Sequence, residues 1–320
     1  MKFIVVGAAG FIGSNLCEKL LILKHSVIGI DSLEYGNLKN IAKFKNHKSF
    51  KFYHKDIVKS NILDEVKGDI LVHLASQKIP RYDNSLRTLT ENDTMTNLVI
   101  GKCIKENIKL VFASTSDVYG KNPNLPFTET SNLVLGPTNI KRWAYAASKI
   151  FSEHKIIANH ESKKLDYTIV RFFGSYGENQ NLTWWGGPQS VFIKKAINNE
   201  AIEIHGDGSQ TRTFTYVKDT VDALIKCCIS EKAKNEIFNI AGHAKEEVRI
   251  IELAEIIWRI VRGEDQPKLK FIPYSSFGKY EDVIRRVPSI EKITKILDFN
   301  PKYSLKEGLT KTIQWQREIT

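Results

Sequence analysis

A short apolar run at the start of the chain ends on Gly7-Ala-Ala-Gly10-Phe-Ile-Gly13, and apolar residues at helical spacing follow at once. Three glycines at a strand-to-helix junction restrict the fold sharply. Gly7 permits a tight turn, Gly10 lets backbone approach a pyrophosphate, and Gly13 lets the helix pack close to the strand. Phosphates then meet the free N–H groups at a helix N-terminus, so Phe11 and Ile12 count with the glycines as cofactor-binding residues. The spacing is G-x-x-G-x-x-G rather than G-x-G-x-x-G, and the context supplies what the triplet lacks. A strand precedes it, a helix follows, and Asp31 closes the next apolar run at about the 20-residue distance expected of a ribose-binding acid. That carboxylate would accept from ribose hydroxyls and repel a 2′-phosphate, which predicts NAD over NADP. Asp56, ending the third apolar run, is a further candidate for the adenine end, with Ile57 beside it.

Strand-like and helix-like segments alternate through the first half. Strands are expected at residues 2–7, 26–31, 50–56, 69–75, 109–114 and 167–173, with helices at 12–24, 86–107 and 143–161. Apolar strands separated by helices predict an α/β fold, a Rossmann-type doubly wound parallel sheet covered on both faces. After Gly174 the character changes: GSYGENQNLTWWGGP (residues 174–188) is too irregular for one helix or strand. Shorter strands at 202–205, 215–217 and 237–240, and helices at 219–229 and 250–261, predict a smaller C-terminal α/β substrate-binding domain. The expected division is 1–174 for the NAD-binding domain, with later returns of the chain to it, and mainly 175–320 for the substrate domain.

Composition closes off other classes. No run reaches the roughly 18 apolar residues of a membrane span, and the apolar start is too short for a signal peptide, so a cytoplasmic protein without membrane association is expected. Cys17, Cys103, Cys227 and Cys228 have no metal-ligand spacing, which predicts structural cysteines and no metal. The net charge of +11 is spread along the chain rather than gathered in a stripe, so nucleic acid is not an expected partner.

Two further pieces sit where proton and hydride chemistry would need them. The 109–114 strand runs into Ser114-Thr115-Ser116-Asp117-Val118-Tyr119-Gly120, and the following helix carries Tyr145-Ala-Ala-Ser-Lys149. Residues four apart on a helix share a face, so Tyr145 and Lys149 point together. An ammonium nearby is expected to lower the phenol towards neutrality and make Tyr145 a general base, with Thr115 holding the same sugar oxygen.

With these motifs the chain resembles the extended short-chain dehydrogenase/reductases, specifically the nucleotide-sugar epimerases, dehydratases and decarboxylases. The resemblance also takes in HLAS (residues 73–76), RFF (171–173), GDGSQTRTFTYVKD (206–219), YEDVIRRVPSI (280–290) and NPKYSLKEGL (300–309). It implies that Tyr145 takes a proton from a sugar hydroxyl, usually at carbon 4, as hydride passes to a tightly held NAD. It further implies that Lys149 holds the nicotinamide ribose and that Leu74, Ala75 and Ser76 line the cofactor site. Ser116, Gly174, Arg212 and Arg286 would contact substrate, the two arginines through its diphosphate. A homodimer built on the 86–107 and 143–161 helices is also implied.

Dehydratases of this family carry an Asp-Glu pair after the catalytic threonine, and here Ser116 and Asp117 stand there, which disfavours 4,6-dehydration. LGPTNIKRWAYAASK (135–149) and GKYEDVIRRVPSI (278–290) resemble the UDP-glucuronate decarboxylases, in which Asp117 would be Glu and the arginine matching Arg286 handles the uronate. The expectation is therefore a UDP-sugar 4-epimerase, closely followed by a UDP-glucuronate decarboxylase. A non-catalytic NAD-sensing regulator is disfavoured because Tyr145 and Lys149 are both present. Gly174 replaces the family's usual asparagine. Trp184 and Trp185 are read as loop anchors, with a pocket-lining role as the alternative.

Overall fold

The computed structural model describes residues 1–78, 84–263, 266–279 and 281–319. Tyr280, which opens one of the quoted motifs, lies outside them, as does Thr320.

The first half runs β1 (Lys2–Val6), α1 (Phe11–Ile22), β2 (Ser26–Asp31), β3 (Phe50–His54), α2 (Ile62–Glu65), β4 (Ile70–His73), α3 (Ser85–Glu106), β5 (Lys109–Thr115), α4 (Arg142–Lys163) and β6 (Tyr167–Phe172). The second adds β7 (Ser175–Tyr176), α5 (Pro188–Ile197), β8 (Ile202–His205), β9 (Thr211–Arg212), β10 (Thr215–Tyr216), α6 (Val217–Ile229) and β11 (Glu236–Ile240). It ends with β12 (Val248–Arg249), α7 (Ile250–Arg262), β13 (Leu269–Ile272), β14 (Arg285–Arg286), α8 (Glu291–Leu297) and α9 (Leu305–Ile319).

Seven strands form one parallel sheet in the order β11-β6-β5-β4-β1-β2-β3. Successive side chains on a strand face opposite ways, and both faces are apolar. Phe3 and Val5 belong to one core with Leu16 and Leu20 of α1, while Ile4 and Val6 belong to a second with Met95 and Val99 of α3. Both cores form because the strands are continuous apolar runs rather than alternating ones. Strand order reverses between β1 and β4, and ligands bind at such a point, beyond the carboxyl ends of the strands.

The strand expected at 237–240 is β11, and it joins this main sheet beside β6. The remaining strands form small sheets: β10 with β7, β13 with β8, and β9 between β12 and β14. All four cysteines are buried free thiols. Among the described residues no helix is long and apolar enough to cross a membrane.

One buried ion pair fixes the corner where β5, β6 and α4 meet. Arg171 of β6 holds Glu153 of α4 at 2.6 Å, and Ser114 of β5 donates to the same carboxylate at 2.5 Å. Both partners are nearly fully buried, so removing either would strand a charge in the core. The pair sets α4 against the end of β5, and with it the relation of Tyr145 to Thr115.

Candidate active site

The glycine turn has the close approaches that the sequence requires of it. Gly7 has φ +92°, and a Cβ on it would come within 2.9 Å of the Ala75 amide. A Cβ on Gly13 would overlap the Gly7 carbonyl oxygen, so α1 packs onto the strand end only without one. Asp31 accepts from Ala9 N–H and Leu33 N–H, each at 2.8 Å, tying the end of β2 to the turn. Burial raises its carboxyl, and these backbone bonds hold that rise back. Gly7, Gly10, Phe11, Ile12, Gly13, Asp31, Asp56, Ile57, Leu74, Ala75 and Ser76 all line one cleft of about 1290 Å³. That exceeds the roughly 300–1,000 Å³ of a site for one small ligand, so there is room for a dinucleotide and a second molecule. Small residues at the turn, helix N–H groups and an acid at the strand end fit a dinucleotide's pyrophosphate and ribose.

Thr115, Ser116, Asp117, Tyr145, Lys149, Gly174, Arg212 and Arg286 line the same cleft. The structure therefore brings the candidate catalytic, cofactor-binding and substrate-binding residues around one space. The Tyr145 hydroxyl faces the hydroxyls of Ser76 and Thr115, so α4 meets the chain just beyond β4 and the end of β5. Lys149 is buried, donates to the Ala113 carbonyl at 2.9 Å and lies 6.0 Å from the Tyr145 ring centroid.

The electrostatics differ from the expectation of a lowered phenol. Burial pushes Tyr145 upward, the Asp117 charge adds to the rise, and the neighbouring Ser76 and Thr115 hydroxyls only oppose it. Burial also pulls Lys149 down to about 7, against the partial support of Glu153. In the protein alone desolvation is the largest influence on both groups. His73, behind Lys149, follows the same rule: burial and then the Lys149 charge lower it to about 3.

Beside Thr115 and Tyr145 runs a ladder of alternating charges. Arg286 donates to Asp117 at 2.6 Å and to the Ser116 hydroxyl at 3.0 Å. Arg142 reaches Asp282 at 2.8 Å and Asp117 at 3.4 Å, and Arg212 reaches Asp282 at 3.0 Å. Tyr274 donates to the other Asp282 oxygen at 2.9 Å. Burial acts to raise Asp117, but Arg286, Arg142 and Arg212 outweigh it and hold the carboxyl below its usual range. For Asp282 burial is likewise overcome by Arg212 and Arg142, which bring it to about 2.

Arg142 and Asp282 were missed from the sequence, yet both carried a signal. Arg142 lies one helical turn before Tyr145, and Asp282 four residues before Arg286 in a motif already singled out. Gly174 has φ +45°, and a Cβ there would come within 2.7 Å of the Thr213 carbonyl oxygen. An asparagine at that position would be strained in this backbone. Trp184 and Trp185 both line the cleft and stack on residues from opposite sides of it, His205 and Tyr35.

A glycine turn on α1, a Tyr/Lys pair on α4 and a hydroxyl-rich end to β5 define an NAD-dependent enzyme of the extended short-chain dehydrogenase/reductase class. The sequence profile of the NAD dependent epimerase/dehydratase family matches residues 3–241, and the chain belongs to that family. It is 32% identical over 324 residues to a UDP-N-acetyl-alpha-D-glucosaminuronate decarboxylase of Bacillus cytotoxicus, covering 99% of this chain and 98% of that one. It is 30% identical over 321 residues to UDP-glucuronic acid decarboxylase 1 of Danio rerio, covering 99% of this chain and 73% of the relative. The fold is also that of UDP-glucuronic acid 4-epimerase from Bacillus cereus, solved with UDP-glucuronic acid and NAD. That likeness has a TM-score of 0.87 and 25% identity, over 100% of both chains.

Proposed function

We propose that the protein oxidises a UDP-linked hexuronate at carbon 4 and then releases its carbon-6 carboxylate as carbon dioxide. The observation that carries this reading is the Arg286–Ser116–Asp117 contact at the end of β5, next to Thr115 and Tyr145. A guanidinium there suits an anionic group on the far side of the sugar, because it offers paired donors to a carboxylate. The two curated relatives named above are decarboxylases of UDP-linked uronates, and the 4-epimerase structure named with them was solved with UDP-glucuronic acid.

Tyr145 is assigned as the base for the carbon-4 hydroxyl, with Thr115 and Ser76 holding the phenolic oxygen. Bound NAD supplies the hydride acceptor and, in its oxidised form, a positive charge that favours the phenolate over the raised value found in the protein alone. Gly7, Gly10, Phe11, Ile12 and Gly13 would hold its pyrophosphate, and Asp31 its adenosine ribose. Asp56 and Ile57 are assigned to the adenine, Leu74, Ala75 and Ser76 to the cleft wall, and Lys149 to the nicotinamide ribose. Once carbon 4 is a ketone, the carboxylate is β to it. The carbon 5–carbon 6 bond then breaks, its electron pair passes to the carbon-4 oxygen beside Tyr145 and Thr115, and carbon 5 takes up a proton. Arg286 is assigned to hold the departing carboxylate, with Asp117 orienting its guanidinium, and Arg212 and Gly174 are assigned to the diphosphate.

The second reading is 4-epimerisation of the same substrate, favoured by full-length likeness to the UDP-glucuronic acid 4-epimerase. It shares the carbon-4 oxidation and differs in keeping carbon 6. We further assign the substrate mainly to residues 175–320, with β11 returning to the cofactor sheet, and expect a cytoplasmic homodimer paired through α3 and α4. Leu86, Leu89 and Phe151 on those helices are 64%, 40% and 55% exposed, which supports that surface.

The test is incubation of purified protein with UDP-glucuronate, UDP-N-acetylglucosaminuronate and UDP-glucose, with products read by mass spectrometry and proton NMR. Loss of carbon dioxide from a uronate supports the first reading. An isomer of unchanged mass from a uronate selects the second, and turnover of UDP-glucose alone overturns both.

A further inference from the structure

The segment after Asp31 folds back towards the cleft instead of running out into solvent. Gly36 allows this, because a Cβ on it would come within 2.7 Å of the Asp31 carboxylate. The segment is pinned along its length. Asn37 N–H donates to the Ala9 carbonyl at 3.0 Å, and Glu34 accepts from Arg87 at 2.7 Å and from Gln77 at 3.3 Å. Arg87 and Gln77 are held in turn by Glu91, at 2.7 and 2.8 Å.

A second segment, residues 174–187, approaches from the other lip. It too is anchored on the first turn of α1: Asn179 donates to the Ser14 hydroxyl at 3.1 Å, and Asn15 donates to the Glu178 carbonyl at 3.0 Å. Its adjacent tryptophans then diverge. Trp184 stacks on His205 of β8 at 4.2 Å and meets Phe192 of α5 edge-on. Trp185 stacks on Tyr35 at 4.5 Å with the ring planes 27° apart. Two segments rooted beside the glycine turn therefore meet at their tips through the Tyr35–Trp185 rings. Nearer their roots Asn40 donates to the Asn179 carbonyl at 3.5 Å, and the Trp-Trp step ties the tip to the second half of the chain.

We propose that Tyr35 and Trp185 form a strap across the cofactor cleft that slows the departure of NAD. The inference rests on NAD occupying the glycine turn. Tyr35 is 39% exposed, so the stack lies at the cleft mouth and not in the core. Offset aromatic pairs of this geometry contribute beyond their buried area, enough to change a rate by about three- to tenfold. Neither side chain is among the groups assigned to proton transfer.

The experiment measures NAD release from holoenzyme by trapping freed NAD with an excess of a coupled dehydrogenase. Trp185→Ala and Tyr35→Ala are each expected to release NAD about three- to tenfold faster. Trp185→Phe, which keeps a ring, should stay within about twofold of the unsubstituted protein, and Trp185→Leu, which keeps bulk without a ring, should behave as Ala. The Tyr35→Ala/Trp185→Ala double variant should release NAD no faster than the faster single variant. NAD release at the original rate from either alanine variant, or effects that multiply in the double variant, overturns the strap. Absence of NAD from the unsubstituted protein overturns the strap and the cofactor assignment together, which separates the two failures.

Discussion

Tyr145 and Lys149 sit four residues apart on one helix, yet each is displaced by its surroundings more than by the other. Burial raises the phenol of Tyr145 and lowers the ammonium of Lys149 to about 7. Turnover under the proposed reading therefore depends on charge brought by the bound cofactor. Tyr145→Phe is expected to lower kcat by about 10² to 10⁴-fold while NAD still binds, checked by steady-state rates and by NAD content of the purified variant. Near-normal kcat in that variant would remove Tyr145 from the proton-transfer role. At this scale the sequence showed which residue types would meet, because four-residue helical spacing and strand ends are local properties. It did not show the direction of the phenol's shift, since burial is a property of the whole surroundings.

At the level of elements, the arginine wall shows where local reading stops. α4 carries Arg142 and Tyr145 on neighbouring turns, whereas Asp282 and Arg286 come from a segment about 140 residues later and meet α4 only in the folded chain. Tyr35 gave no sequence signal at all, because its partner Trp185 lies in a different half of the protein. Within the wall, Arg212 and Arg142 overcome burial and hold Asp282 at about 2, against an ordinary 3.8. A depressed carboxyl contributes stability that is present above about pH 4 and lost as pH falls through about 2. The expected contribution is about 2 kcal/mol. Asp282→Asn should be less stable at about pH 7 and lack that part of the acid-limb loss. Urea unfolding at about pH 7, 4 and 2.5 checks this, and an acid limb equal in both proteins would show that Asp282 is not its source.

For the whole molecule, alternation of apolar strands with helices was enough to specify a parallel sheet, and the glycine turn marked which strand begins it. Small β pairs of two residues each, such as β9 with β14, were not legible, because their pairing depends on distant partners rather than on any run of side chains. The exposed apolar residues of α3 and α4 carry the prediction at this scale. Phe151→Glu is expected to shift sedimentation towards a monomer, because a charge at the centre of an apolar interface is left without water or partner. A dimer unaffected by that change would place the interface elsewhere.

The position of β11 has a consequence for how the chain emerges during synthesis. By the time β6 leaves the ribosome, six strands of the main sheet are available, but the flank of β6 away from β5 has no neighbour until residue 240 is out. About 65 residues of elongation separate the two strands, several seconds at ordinary translation speeds. Throughout that interval an extended row of unpaired N–H and C=O groups is available to any other nascent strand. Folding of the cofactor-binding half thus stays open to wrong partners until the last of its strands arrives from beyond the substrate-facing loop.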